Sequence, residues 1–161
     1  MQSMLITAML WFSALSCGLM AGLYFAFSVF IMRALGRIER GAGIAAMNAI
    51  NVDIQRSAFM PVFLGSTLIA AILVVVASLD LAAPYALPAL IGGAIYVAGM
   101  FGVTMVRNVP LNNALATLDG SDDEGGMLWA RYLAQWTRWN HVRTLASLGG
   151  LAFYIASISE I

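Results

Sequence analysis

Between Trp136 and Arg143 the chain reads Trp-Thr-Arg-Trp-Asn-His-Val-Arg, placing two indoles, two guanidinium groups and the only imidazole within eight residues. An imidazole titrates near neutrality and can take up a proton. A guanidinium or a carboxamide can steady a developing oxyanion, and an indole face stacks on a flat ligand. A second polar run, Asn108-Val109-Pro110-Leu111-Asn112, adds two amides, and Asn48 and Asn51 add two more. Taken singly, these residues have ordinary uses. Trp near a membrane surface is commonly an anchor, Arg commonly meets lipid phosphate, and Asn108 and Asn112 could serve backbone groups freed by Pro110. Their convergence at one depth is what points to a site, because polar groups near hydrocarbon are costly. The candidate set is His141 and Arg143 for chemistry, with Asn108, Asn112, Trp136, Trp139 and Asn140 for binding.

The elements that must position these residues are dictated by composition. The chain has 161 residues, of which 61% are hydrophobic and only 10% charged. A soluble domain is about 45–50% apolar and about 25% charged, and a chain this short could not bury the excess. Lipid is therefore its solvent, and 161 residues make one membrane domain. Apolar runs near residues 5–32, 59–79, 87–106 and 141–158 are each long enough, with their flanks, for a spanning helix of about 20 residues. They are apolar on every face rather than alternating, which excludes a β-barrel. The fold expected is an all-α, four-transmembrane-helix bundle. Residues 1–32 carry no charged side chain, so the first run reads as a span rather than a cleaved signal peptide.

All eight cations are Arg, and they fall between spans one and two or between spans three and four. The positive-inside rule makes those loops cytoplasmic, with both termini outside a plasma membrane. In the first loop Ile44, Met47, Ile50 and Ile54 recur at helical spacing. This predicts a short amphipathic helix lying at the interface or folded over the bundle mouth. Pro110 is expected to end or kink the third span, and residues 119–126 read as a loop. From Met127 the pattern is helical again: Trp129, Tyr132, Trp136, Trp139 or Asn140, and Arg143 form one stripe. That helix should run on into the fourth span, reach about 50 Å and stand clear of the hydrocarbon at its start. Gly18 and Gly22 on the first span, and Ala94, Ala98 and Gly102 on the third, are spaced for close helix packing. The Gly18/Gly22 seam could also serve a homo-oligomer.

Several chemistries are excluded. One His and one Cys cannot supply a transition-metal site, and no Asp or Glu lies within a span. There is no GxSxG, P-loop or dinucleotide fingerprint. Zero net charge gives no pull on nucleic acid. No cofactor is implied, and the partners expected are membrane lipid and a hydrophobic small molecule.

Gly22-Leu23-Tyr24-Phe25-Ala26-Phe27-Ser28, Asn108-x-Pro-x-Asn112 and Trp136-x-x-Trp139-Asn140-x-x-Arg143, in that order, resemble the anthrone-oxygenase-like family of bacteria and fungi. The resemblance implies a small four-span membrane protein whose characterised relatives oxidise an anthrone to an anthraquinone with O2, without a bound metal or flavin. In this sequence the matching positions are Asn108, Pro110, Asn112, Trp136, Trp139, Asn140 and Arg143, with His141 inside the last motif. The mechanism this suggests uses His141 as base, Arg143 and the amides as oxyanion donors, and the two indoles as stacking surfaces. A non-enzymatic module that binds a lipid, quinone or other hydrophobic molecule, or a partner protein, would use the same pocket. A channel or transporter would need polar residues along the spans, which are lacking.

Overall fold

In the computed structural model, residues 2–118 and 123–161 are described. Helix covers 89% of the chain, and no strand occurs among the described residues. Four helices are long and apolar enough to cross a membrane. The first, α1, comprises Gln2–Ala26, a π-helical turn Phe27–Ile31 and Met32–Leu35. Helix α2 is Arg40–Gln55 and α3 is Phe59–Leu79. Helix α4 runs from Ala86 to Ala116 through two π-helical stretches, Val97–Gly102 and Thr104–Asn108. Helix α5, Asp123–Ser159, has 37 residues and is thus about 55 Å long.

The spans form a ring in which α1 touches α5 and α3, while α4 touches α3 and α5. Their outer faces carry exposed Leu15, Leu19, Leu68, Val75, Leu87 and Ile155, a surface that only lipid would leave stable at this density. Inside, Leu10, Ala14, Cys17, Ala70, Leu73, Tyr96 and Tyr154 pack into one core. Two polar groups meet there, the Tyr96 and Ser66 hydroxyls, 2.8 Å apart; each needs the other in a place without water.

The close seams are not where the small-residue spacing put them. Ala94 and Ala98 are exposed. The α4 residues that meet α5 are Gly92 and Gly99: a Cβ at Gly92 would lie 2.8 Å from the Phe153 Cβ, and one at Gly99 would lie 2.5 Å from the Ala146 Cβ. Glycine is required at both because the two backbones approach too closely for a side chain. Gly22 is exposed with nothing within 4 Å of where its Cβ would stand, so the Gly18/Gly22 stripe holds no tight intramolecular seam at that end.

Pro110 does not end α4, which runs on to Ala116. Asn108 and Val109 both keep right-handed helical angles, and Pro110 stands in the first turn of the segment Val109–Ala116. The π-helical stretch that ends at Asn108 changes the hydrogen-bond register just upstream, so the missing proline N–H falls where a helix start tolerates it. The expectation of a loop up to residue 126 is also corrected, since α5 is already helical at Asp123; residues 119–122 lie outside the described residues.

Helix α2 begins where Glu39 accepts the Gly41 and Ala42 N–H groups, both at 2.8 Å. Those bonds hold its carboxyl below the usual carboxylate range. The cap is therefore kept above that range and lost as pH falls through the lowered value. The apolar stripe of α2 is used: Ile44 and Met47 pack with Phe27, Leu115, Trp129, Tyr132 and Trp136 in a second core. This helix is folded over the end of the bundle.

Candidate functional site

Asn140, fully buried, joins α5 to α1. Its Nδ2 donates to the Tyr24 carbonyl at 2.6 Å and to Ser28 Oγ at 2.7 Å, and its Oδ1 accepts from Arg143 Nη2. The acceptors flank or lie within the π-helical turn of α1, where a widened backbone offers carbonyls to side chains. Asn140 is thus a positioning group. What it positions is Arg143, 5% exposed, whose guanidinium carbon lies 4.3 Å from the Tyr24 ring centre and 5.0 Å from that of Trp136. Arg143 Nη1 also donates to Thr104 Oγ1 at 3.3 Å. Thr104 opens the second π-helical stretch of α4 and donates in turn to the Met100 carbonyl.

Among the described residues the Arg143 Nε has no hydrogen-bond partner, and no carboxylate pairs with the guanidinium. A buried cation of this kind is expensive unless something compensates it. The π faces of Tyr24 and Trp136 supply part of that compensation. The remainder is available to whatever enters the adjoining cavity.

That cavity has a volume of about 360 Å³, within the range of about 300–1,000 Å³ usual for small-molecule sites. Its walls are apolar, with Leu23 and Phe27 from α1, Met47 and Ile50 from α2, and Phe59 and Phe63 from α3. Arg143, Asn51 and Asn112 bring polar groups to it. Asn112 Oδ1 accepts from the Tyr132 hydroxyl at 2.8 Å and from Trp136 Nε1 at 2.9 Å. Because an indole nitrogen only donates, this fixes which way the amide faces and leaves its NH2 to donate elsewhere. Asn51 Nδ2 is buried without a partner among the described residues. The exposed liners Gln55, Met105 and Asn113 place the mouth between α4 and the α2–α3 turn.

Of the seven residues singled out in the sequence, the cavity wall receives Arg143, Asn112 and Trp136. Asn140 stands behind Arg143. Asn108, 1% exposed, donates to the Trp136 carbonyl at 3.3 Å and braces α4 on α5. Trp139 and His141 are not brought in. The Trp139 ring lies outside, with the Arg107 guanidinium 4.8 Å and the Arg138 guanidinium 6.0 Å from its centre. His141 is exposed and borders a different, open groove. The stripe of α5 therefore resolves in favour of Asn140 over Trp139. Tyr24, Ser28 and Thr104 belong to the arrangement and were not singled out as site residues. Tyr24 and Ser28 did offer a signal: they are polar, four residues apart within an apolar span, and part of the first family motif.

The family model described as anthrone oxygenase matches residues 52–153, more than half of the chain. The chain belongs to the anthrone oxygenase family. The matched part of this anthrone oxygenase family member contains Asn108, Asn112, Trp136, Asn140 and Arg143, as well as Trp139 and His141. It begins inside α2, so the Tyr24–Ser28 segment lies before it. No curated protein and no solved structure matches the chain. Among the described residues no group of three His, Cys, Asp or Glu side chains is placed to hold a metal ion.

Proposed function

We propose that this protein is a membrane oxygenase that oxidises a flat, hydrophobic polycyclic phenol or anthrone with O2. The observation that carries this reading is the buried Arg143 guanidinium, without a carboxylate partner among the described residues, on the wall of an apolar cavity with Asn51 and Asn112 beside it. A cavity of this kind favours a flat apolar molecule that carries a developing negative oxygen. Removing a proton from the methylene of an anthrone gives such an anion, delocalised onto the ring oxygen, where Arg143 and the amides would hold it. The carbanion carbon then reduces O2, binding it as a peroxide. The peroxide takes up a proton, and loss of water then breaks the remaining C–H bond at that carbon and the O–O bond, leaving the new carbonyl. One O2 is consumed, one oxygen atom ends on carbon and the other in water.

Among the described residues no imidazole or carboxylate lines the cavity, so this reading does not give the role of base to His141. Lowering the energy of the anion makes water at the mouth a sufficient proton acceptor. Orientation follows the arginines, whose loops we place on the cytoplasmic side of the plasma membrane with both termini outside. The cavity mouth then opens at the cytoplasmic edge of the hydrocarbon, where exposed Met105 meets lipid and Asn113 meets water.

The test is O2 consumption and quinone absorbance with an anthrone in detergent-solubilised protein, comparing wild type with Arg143→Met. Equal turnover by the two would sink the oxidation reading. The second reading, a module that binds an apolar aromatic without chemistry, predicts quenching of Trp136 fluorescence by the anthrone with no O2 uptake.

A further inference from the structure

On the face of α5 turned away from the cavity runs a groove bordered by Arg33 from the end of α1, Gly36 and Arg37 of the α1–α2 link, and Arg138 and His141 from α5. Its floor is apolar, including Met32, Leu133 and Ala134, and the hydroxyls of Ser28 and Thr137 lie along it. Among the described residues no carboxylate borders it. Three guanidinium groups and an imidazole thus share one depression of about 740 Å³, without an acidic side chain among the described residues that border it. On the span side, both flanking helices turn apolar and outward. Phe25, Val29 and Phe30 of α1 and Leu145 and Leu148 of α5 are exposed.

We propose that this groove is a binding site for an anionic phospholipid, with the phosphate among Arg33, Arg37 and Arg138 and the acyl chains along Val29, Phe30, Leu145 and Leu148. Charge complementarity selects the headgroup: arginines pair with phosphate oxygens through forked N–H donors, and a zwitterionic headgroup brings its own cation into the cluster. The exposed apolar residues beside the cations select a lipid over a soluble phosphate, since they supply contact only to a molecule with a tail. Arginines at the end of a span are placed at the depth of lipid phosphate. The site is separate from the cavity and does not depend on the oxidation chemistry.

The experiment measures retention of phosphatidylglycerol and phosphatidylcholine with matched acyl chains by native mass spectrometry of the full chain released from mixed micelles. Wild type should retain one phosphatidylglycerol in preference to phosphatidylcholine. Arg33→Gln/Arg138→Gln should weaken that retention by about 30-fold, from about fivefold for each cation. Arg56→Gln/Arg131→Gln removes the same charge from residues outside the groove and should leave retention within about twofold. All four arginines are exposed, so these changes spare the core. Single variants Arg33→Gln and Arg138→Gln, each expected to lose about fivefold, carry the test if the double variant fails to fold. Equal losses in the two double variants would mean diffuse attraction and overturn the site. Displacement of the lipid by glycerol phosphate at the same concentration would show that the tail contributes nothing and would also overturn it.

Discussion

Over the same two turns of α5, two faces carry similar residues to opposite ends. On the inner face Trp136 and Arg143 are buried, with the guanidinium between two aromatic rings and held by Asn140. On the outer face Trp139 lies beneath Arg107 and near Arg138, and His141 borders an open groove. Both faces pair an arginine with an indole, so the pairing itself says nothing about function. What separates them is desolvation. Outside, the cations are exposed and screened by their surroundings, and the indole contact contributes little. Inside, the cation has lost its water without gaining a carboxylate, and its field acts across an apolar cavity at a low effective dielectric.

If this contrast is right, the largest effect belongs to Arg143→Met. Turnover of an anthrone should fall by about 10²–10³-fold, the usual consequence of losing a preorganised oxyanion donor, as read from quinone absorbance. Asn140→Ala comes next. It leaves the Arg143 guanidinium, the Tyr24 carbonyl and the Ser28 hydroxyl without their shared partner. It should cost about 2–3 kcal/mol of stability, visible as a lower thermal midpoint in detergent. Arg143→Met should lower that midpoint less, because it also removes a desolvated charge. Trp139→Ala should cost about 0.5–1 kcal/mol and leave turnover within about twofold. The smallest effect is expected for His141→Ala, which should change neither the rate nor its pH profile. A large loss of rate in that variant would break the contrast and return the proton to the outer face.

That four helices are long and apolar enough to span a membrane follows from composition and apolar run length alone, because runs that are apolar on both the core-facing and the outward side leave little to arbitrate. The α2 helix was equally legible, since Ile44, Met47, Ile50 and Ile54 can share a face only in a helix. The site was legible as a neighbourhood, but not in its orientation. Sequence spacing allowed Trp139 or Asn140 on the inner stripe, as the two differ by only about 100° around the axis. What decides between them is the partner each finds across the bundle: the Tyr24 carbonyl for Asn140, a surface guanidinium for Trp139. Those partners lie more than 100 and about 30 residues away in the chain, respectively, and no local pattern encodes them. The small-residue seam on α4 missed for a related reason: Ala94 and Ala98 have the spacing of a seam, yet α5 packs against Gly92 and Gly99 on another face.

The π-helical stretches of α1 and α4 carry a further consequence, for how this chain tolerates insertions and deletions. A π-helical stretch is an α-helix with one residue too many, and removing one restores the regular turn. Deleting a single residue between Val97 and Gly102 would leave the apolar length of α4 almost unchanged, so the span would still insert. Everything beyond the deletion would rotate by about 100°. Thr104 would leave Arg143, Asn108 the Trp136 carbonyl and Asn112 the cavity wall together, although none of them had been mutated.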